Sequence, residues 1–324
     1  MAKAGGREEF TKRPLHNKER ERGTMKLITA LFDGETFVGA VPQGDDRAVH
    51  LRRAERTMDG TETMPTTMLE AIAQGEAFFT RAQEVVDWAL RHPAPEYVYR
   101  LSDVRLLAPI PRPAKNIFCI GKNYVDHALE LGGADVPEHL IVFTKAPTTV
   151  IGHEETILRH ADVTDEMDYE GELAVVIGRQ GRAIRREDAL DYVFGYTIIN
   201  DVTARDLQER HQQYFLGKSL DTFCPMGPWI VPSKFVPNPN DLRIETRVNG
   251  EVRQQANTKQ LIFSIESIIE TISKGITLEP GDIIATGTPA GVGKGMNPPR
   301  FLQTGDVIEV TVEGIGTLRN KVGE

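Results

Sequence analysis

The chain has 324 residues, of which 40% are hydrophobic and 26% charged, and its formal net charge is −9. This is an ordinary globular composition, with enough residues for one large domain or two smaller ones. A nucleic-acid-binding protein is expected to carry a clustered basic surface, and a membrane span needs roughly 18 or more consecutive apolar residues; the sequence has neither feature. We therefore expect a cytoplasmic protein whose partner is a small molecule rather than nucleic acid or a membrane.

The N-terminal residues 1–24 are polar and charged and lack the apolar stretch of a secretory signal. They predict either a disordered tail or an extension that arises from a different translation start or from cloning. The two cysteines, Cys119 and Cys224, belong to no CxxC pattern. They predict free, buried thiols rather than a disulfide framework.

The region after the tail predicts short strands followed by helix. Residues 26–50 alternate loosely between apolar and polar positions, as strands do. Thr67 and Glu70 form a capping-box pattern, and apolar residues at helical spacing then continue to about His92. Gly75 is a candidate interruption of that helix.

A proline-rich joint at 106–116 separates this region from the rest of the chain, because three prolines in quick succession disfavour regular helix. We predict a small α+β N-terminal domain over 25–107 and a β-rich second domain over 108–324. In the second domain an Asn-Gly pair at 249–250 indicates a hairpin turn, and one clear helix spans Phe263–Lys274. The predicted strands have the sequences NIFCIG, LIVFTK, LAVVIG, FGYTIIN, WIVP, RIETRVNG, DIIATG and VIEVTVEG.

The strongest local signal is the pair Glu170 and Glu172, directly before the apolar run LAVVIG. Positions two apart in a strand point to the same face, so the two carboxylates would lie side by side. They repel each other unless a cation or a proton lies between them. The next predicted strand is followed directly by Asp201, which could complete an all-oxygen site for Mg²⁺, Mn²⁺ or Ca²⁺. The alternative for the glutamate pair alone is a solvated strand edge.

A second constellation is His127 and Glu130, which are i and i+3 neighbours if the segment GKNYVDHALE is helical. A carboxylate beside an imidazole fixes its tautomer and raises its basicity, which suits a general base. The alternative is an ordinary surface contact. Lys218 is either a surface lysine or a clamp for an anion. The glycine-rich loop, TGTPAGVGKG at 286–295, fails the Walker pattern and predicts a tight loop at the end of a strand.

Several motifs, in the same order along the chain, resemble those of the fumarylacetoacetate hydrolase family over about residues 115–322. The resemblance implies a β-rich roll for the second domain, an α+β, β-rich fold for the whole chain, and a homodimer. Residues 25–110 further resemble the N-terminal domain of family members that decarboxylate oxaloacetate. The matching motifs are IGKNYVDH (120–127), DYEGELAVVIG (168–178), GYTIINDVTARDLQ (195–208), GKSLDTFCPMGP (217–228) and TGTPAGVG (286–293).

The resemblance also implies a bound Mg²⁺ or Mn²⁺, a His–Glu dyad on a lid segment, and groups that hold a substrate carboxylate. Each role is carried over only to a residue that matches its motif. The metal ligands are Glu170, Glu172 and Asp201; the catalytic residues are His127, Glu130 and Lys218; the substrate-binding residues are Arg205, Gln208 and Thr288.

The function implied by the resemblance is the decarboxylation of oxaloacetate to pyruvate and CO₂. A small 2-keto acid can chelate a divalent cation, which then stabilises the enolate that remains when the distal group leaves. The same chemistry would serve an acylpyruvate or β-diketo-acid hydrolase, in which His127 and Glu130 activate water, or a related isomerase. A non-catalytic binding or regulatory member is the last alternative, and the intact acidic ligands and dyad argue against it.

Overall fold

The computed structural model describes residues 24–130 and 136–324. The predicted N-terminal tail lies outside these residues, apart from Thr24. No helix within the described ranges combines the length and apolar character that a membrane crossing requires. The described helices are α1 (Leu51–Asp59), α2 (Met68–Gln74), α3 (Glu76–Arg91), α4 (Val125–Glu130), α5 (Arg205–Arg210), α6 (Phe215–Lys218) and α7 (Ile265–Ser273).

Strands outnumber helices in the described residues, as an α+β, β-rich fold requires, and this prediction is confirmed. In chain order, the strands are β1 (Met25–Phe32), β2 (Glu35–Pro42), β3 (Arg47–His50), β4 (Val98–Arg100), β5 (Arg105–Leu106), β6 (Ile117–Gly121), β7 (Ile141–Lys145), β8 (Val150–Ile151), β9 (Thr156–Leu158), β10 (Met167–Asp168), β11 (Gly171–Ile177), β12 (Val193–Asn200), β13 (Thr203–Ala204), β14 (Cys224–Pro232), β15 (Arg243–Val248), β16 (Glu251–Asn257), β17 (Ile283–Ala285), β18 (Val307–Val312) and β19 (Gly316–Gly323).

The strands form two main sheets. The larger has the order β4-β3-β2-β1-β14-β12-β11-β17-β6-β7, with β5 added beside β1 and β8 beside β14. The smaller has the order β16-β15-β18-β19-β9, while β10 and β13 pair with each other. The hairpin predicted at 249–250 is confirmed, since it joins β15 to β16 with Val248 opposite Glu251.

The central strands of the larger sheet, β11 and β12, are buried on both faces, which explains their continuous apolar sequences. Along β11, Leu173 and Val175 pack in the core that includes residues of the smaller sheet. Ala174 and Val176 point the other way, into a core shared with the helices of the N-terminal region. The larger sheet therefore lies between the N-terminal helices on one face and the smaller sheet, together with α7, on the other.

The helices begin and end largely where their capping residues predict. Thr67 and Glu70 form the expected capping box at the start of α2, and Gly75, at φ +57°, separates α2 from α3 as predicted. Helix α7 lies within the predicted span. Helix α1 was not predicted, because its sequence LRRAERTMD is mostly polar; its N-cap His50 and C-cap Gly60 were the available signals.

The N-terminal region and the rest of the chain share the larger sheet. Strand β1 pairs with β14 through Leu27 and Ile230, so hydrogen bonding crosses the predicted boundary between residues 107 and 108. The division into two domains stays a prediction, which expression of residues 25–107 alone would test. Cys119 and Cys224 are free and buried, as expected.

Gly171 sets the spacing between the two sheets. A Cβ atom added at this residue would overlap Thr246 Oγ1 and lie 2.8 Å from Val310 Cγ1, both on the smaller sheet. We expect Gly171→Ala to lower the free energy of unfolding by about 1–3 kcal/mol, the usual cost of overpacking. Thermal unfolding measures this effect. Gly275→Ala is the matched control, since its Cβ would meet nothing within 4 Å, and equal losses in the two variants would contradict the explanation.

Candidate active site

The predicted acidic triad forms where β11 begins and β12 ends. Glu170 immediately precedes β11, Glu172 is the second residue of that strand, and Asp201 immediately follows β12. The antiparallel register places Gly171 opposite Asn200, which brings these two ends together. One oxygen atom of each carboxylate lies within 4.8 Å of the other two, and all three side chains are buried.

Three buried cations surround two members of the triad. Lys218 Nζ donates to Glu170 Oε2 and to Asp201 Oδ2, at 2.7 Å each. Lys145 Nζ donates to Asp201 Oδ1 at 2.6 Å, and Arg205 Nη1 pairs with Glu170 Oε1 at 2.7 Å. Burial alone would raise the pKa of Glu170, but Lys218 and Arg205 outweigh it and hold that pKa below its ordinary range. Glu170 is therefore ionised at neutral pH.

Glu172 has no cationic partner among the described residues. Its Oε2 accepts a hydrogen bond from the backbone N–H of Gly287 at 2.7 Å. Burial, and then the charges of Asp201 and Glu170, raise the pKa of Glu172 well above its ordinary value. A divalent cation beside the triad would compensate this charge, and carboxylate oxygens are the ligands that Mg²⁺ and Mn²⁺ prefer. The residues present therefore fit a hard divalent cation.

This electrostatic arrangement predicts proton-coupled cation binding. Because burial and the charges of Asp201 and Glu170 raise the pKa of Glu172 and so favour its protonated form without a cation, Mn²⁺ binding should be accompanied by release of a proton from it. The affinity should then rise with pH until the pH exceeds the pKa of Glu172 in the cation-free protein. Calorimetric titration in two buffers with different ionisation enthalpies measures the released proton. A binding heat that is the same in both buffers would contradict the prediction.

The predicted dyad is present on α4. His127 Nδ1 lies 2.7 Å from Glu130 Oε1, in the i,i+3 relation expected from the sequence. His127 is 4% exposed, so this is a largely buried pair and not a surface contact. A carboxylate at Nδ1 holds a proton on that atom and leaves Nε2 to exchange a proton with a substrate.

The glycine-rich loop connects the dyad to the acidic residues through its backbone. The N–H of Gly291 donates to Glu130 Oε2 at 2.8 Å. The N–H groups of Gly293 and Lys294 donate to the two carboxylate oxygens of Asp168, at 2.7 and 3.0 Å. Because the loop has a strand-terminal position after β17, as predicted, it can reach both groups. Its main-chain amides thus hold carboxylates in place.

A cavity of about 40 Å³ adjoins the triad and the dyad. It brings together residues predicted from five separate motifs, which span the chain from position 120 to position 288. The predicted site residues that line it are His127, Glu170, Arg205, Gln208, Lys218 and Thr288.

The three predicted substrate-binding side chains differ in which polar groups they leave free to bind a ligand. Arg205 Nη2 is buried and has no hydrogen-bond partner, so it can donate to a ligand. Gln208 Oε1 accepts from Arg205 Nη1 at 3.2 Å. The hydroxyl of Thr288 already donates to the backbone oxygen of Gly171 at 3.0 Å and accepts from Gln254 Nε2 at 2.8 Å.

Sequence reasoning missed two residues that organise this site. Asp168 accepts from Arg205 Nε at 2.9 Å and so orients that guanidinium. Lys145, the last residue of β7, is fully buried against Asp201. The available signals were the first acidic residue of DYEGE and a lysine that ends an apolar strand.

Comparison with known proteins identifies relatives over nearly the whole chain. A family model described as the C-terminal part of fumarylacetoacetate (FAA) hydrolase matches residues 116–323. The oxaloacetate tautomerase YisK of Bacillus subtilis (strain 168) is 54% identical over 303 residues, which cover 92% of this chain and 100% of that protein.

Solved structures resemble the chain over the same extent. A fumarylacetoacetate hydrolase from psychrophilic Exiguobacterium antarcticum is 45% identical, with a TM-score of 0.75 over 92% of this chain and 99% of that one. A maleylpyruvate hydrolase from Sphingobium sp. SYK-6, solved in complex with manganese(II) and pyruvate, is 30% identical. Its TM-score is 0.72, over 92% of this chain and 99% of that one.

Proposed function

The chain belongs to the fumarylacetoacetate hydrolase family, and from that premise we propose that it interconverts the keto and enol forms of oxaloacetate with a divalent cation. The observation that carries the proposal is the shared cavity of His127 and Glu170. The cavity therefore joins a proton-transfer group, His127, to Glu170 of the acidic triad. Enolisation of a 2-keto acid requires both, because a proton leaves C3 while negative charge develops on the C2 oxygen.

The acidic triad and the cations around it supply the electrostatic part of the reaction. A divalent cation held by Glu170, Glu172 and Asp201 would act as a Lewis acid that polarises the 2-keto group. Lys218 keeps two of these carboxylates in place through its paired hydrogen bonds. Arg205 Nη2, buried and unpaired, would donate to the carboxylate at C1 of the substrate.

The dyad supplies the proton transfer. His127 Nε2 accepts the proton from C3 of the keto form and delivers it to the oxygen at C2, which gives the enol; the reverse sequence restores the ketone. Glu130 holds the Nδ1 proton of His127 and stabilises the imidazolium between the two transfers. The backbone N–H of Gly291 fixes Glu130 in turn.

Decarboxylation of oxaloacetate, predicted from the sequence, is the second candidate. Loss of CO₂ from C3 leaves negative charge on the same C2 oxygen, so the charged groups around the triad would favour that reaction as well. The bond that breaks is then carbon–carbon, and no base is needed to remove a C3 proton. A buried His–Glu pair in the cavity, together with the 54% identity to an oxaloacetate tautomerase, favours tautomerisation.

The test is to assay the purified protein with Mg²⁺ and with Mn²⁺. The proposal expects rapid decay of the enol absorbance of oxaloacetate without matching release of pyruvate. Pyruvate formation at the rate of enol decay would establish the decarboxylase instead. Cleavage of acetylpyruvate without action on oxaloacetate would overturn both candidates in favour of a hydrolase. The homodimer predicted from the resemblance also stays a prediction, and light scattering after gel filtration would test it.

A further inference from the structure

Lys122 is a charged residue of the active-site cavity that has no role in the proposed reaction. It directly follows β6 and lines the cavity together with His127 and Glu170. Within residues 24–130 and 136–324 it makes no side-chain hydrogen bond and no ion pair, so its Nζ lies more than 4.0 Å from every described carboxylate. A lysine that lines a cavity and has no described partner for its ammonium group is available to an anionic ligand.

The backbone around Lys122 is held firmly in an uncommon conformation. Its φ of +52° lies in the left-handed region, which residues other than glycine adopt rarely and often at functional sites. The next residue, Asn123, is fully buried. Asn123 Nδ2 donates to the backbone oxygens of Thr286 and Phe263 at 2.8 and 3.1 Å, and its Oδ1 accepts from the N–H of Phe263 at 2.8 Å. These bonds fix where the lysine side chain leaves the main chain.

The other cations of the cavity are already engaged with protein carboxylates. Lys218 bridges Glu170 and Asp201, and Arg205 pairs with Asp168 and Glu170. Only Nη2 of the arginine is left to donate to a ligand. Lys122 therefore differs from both, because its full positive charge is not compensated by any described residue.

We propose that Lys122 binds the distal carboxylate of a four-carbon 2-keto dicarboxylic acid, and so makes the site prefer dicarboxylate over monocarboxylate substrates. This inference rests on the proposed function. The absence of a described partner for Lys122 supports it, because a distal carboxylate on the substrate would compensate this charge, whereas a methyl group in the same place would leave it uncompensated.

The test compares two substrates that differ only in the distal group. Oxaloacetate has a carboxylate where 2-oxobutanoate has a methyl group. Turnover of oxaloacetate is measured by the decay of its enol absorbance. Turnover of 2-oxobutanoate is measured by NMR, as exchange of its C3 hydrogen for deuterium in D₂O. Lys122→Met keeps the length of the side chain and removes its charge. The ratio of kcat/KM for oxaloacetate to that for 2-oxobutanoate should fall by about 10- to 100-fold, mainly through KM for oxaloacetate.

Two further variants and one ligand distinguish binding of the distal carboxylate by Lys122 from a general disturbance of the active site. Lys122→Arg should restore most of the selectivity, and Lys274→Met, at the exposed end of α7, should leave it unchanged. Calorimetric binding of oxalate, which lacks a distal carboxylate arm, should change far less than KM for oxaloacetate. A Lys122→Met enzyme with wild-type selectivity, or one that loses oxalate binding to the same extent, would overturn the inference. Wild-type protein inactive on oxaloacetate would instead overturn the proposed function.

Discussion

Replacement of Glu172 by glutamine should reduce the affinity for Mn²⁺ by more than about 100-fold, because loss of a ligand should exceed the 10- to 100-fold effect of losing an outer-shell partner. Turnover should fall with it. The fold should survive, since glutamine resembles the protonated carboxyl that the raised pKa of Glu172 favours without a cation. The Gln side-chain oxygen can still accept the hydrogen bond from Gly287. Calorimetry with Mn²⁺ and thermal unfolding of the metal-free protein measure the two effects.

The matched control is Glu76→Gln, which removes the same charge from the exposed first turn of α3. It should bind Mn²⁺ as the wild type does. If Glu172→Gln binds Mn²⁺ with wild-type affinity, the triad is excluded as the metal site. A marked drop in melting temperature of metal-free Glu172→Gln would show that the ionised carboxylate stabilises the fold, contrary to its raised pKa.

Replacement of His127 by alanine should reduce turnover of oxaloacetate by about 10²- to 10⁴-fold, the usual contribution of general acid–base catalysis. Inhibition by oxalate should weaken far less, because that ligand needs the triad and Arg205 but no proton transfer. Steady-state kinetics, with and without oxalate, measure both quantities. His139→Ala, which alters an exposed histidine, is the control.

The partner of His127 provides a second measurement. Glu130→Gln should produce a smaller loss, and the double variant should be little worse than His127→Ala, because residues that act as a unit are not additive. Full turnover in His127→Ala would mean that the buried pair has no catalytic role. Additive losses in the double variant would mean that Glu130 acts independently of the histidine.

The strand-borne parts of this site could be predicted from the sequence because they depend on local periodicity. Glu170 and Glu172 share a face through the two-residue repeat of an extended chain. If the next strand pairs with theirs as an antiparallel neighbour, its end brings Asp201 close to the two glutamates. The register of Gly171 opposite Asn200 satisfies that condition. The i,i+3 contact of His127 with Glu130 is likewise local.

The remaining features depend on tertiary structure. Lys145 reaches Asp201 across 56 positions of the chain, and the sequence contains nothing that specifies this pairing. Strand β16, EVRQQAN, lies at the edge of the smaller sheet with mostly polar residues, so its apolar pattern is weak. Helix α1 begins with a histidine cap and carries little apolar surface. In each case, packing against distant residues decides the structure, and local preference does not.

The glycine-rich loop has a consequence for substitution at its own positions. Its contacts with Glu130, Glu172 and Asp168 are made by main-chain amides, and every amino acid except proline carries such an amide. The chemical nature of the side chain at these positions therefore matters less than its size and the backbone conformation. Gly287 and Gly291 have positive φ values, and a Cβ at either would collide with neighbouring atoms. This part of the carboxylate geometry is thus specified by the main chain, whereas Lys218 and Arg205 hold the carboxylates through their side chains.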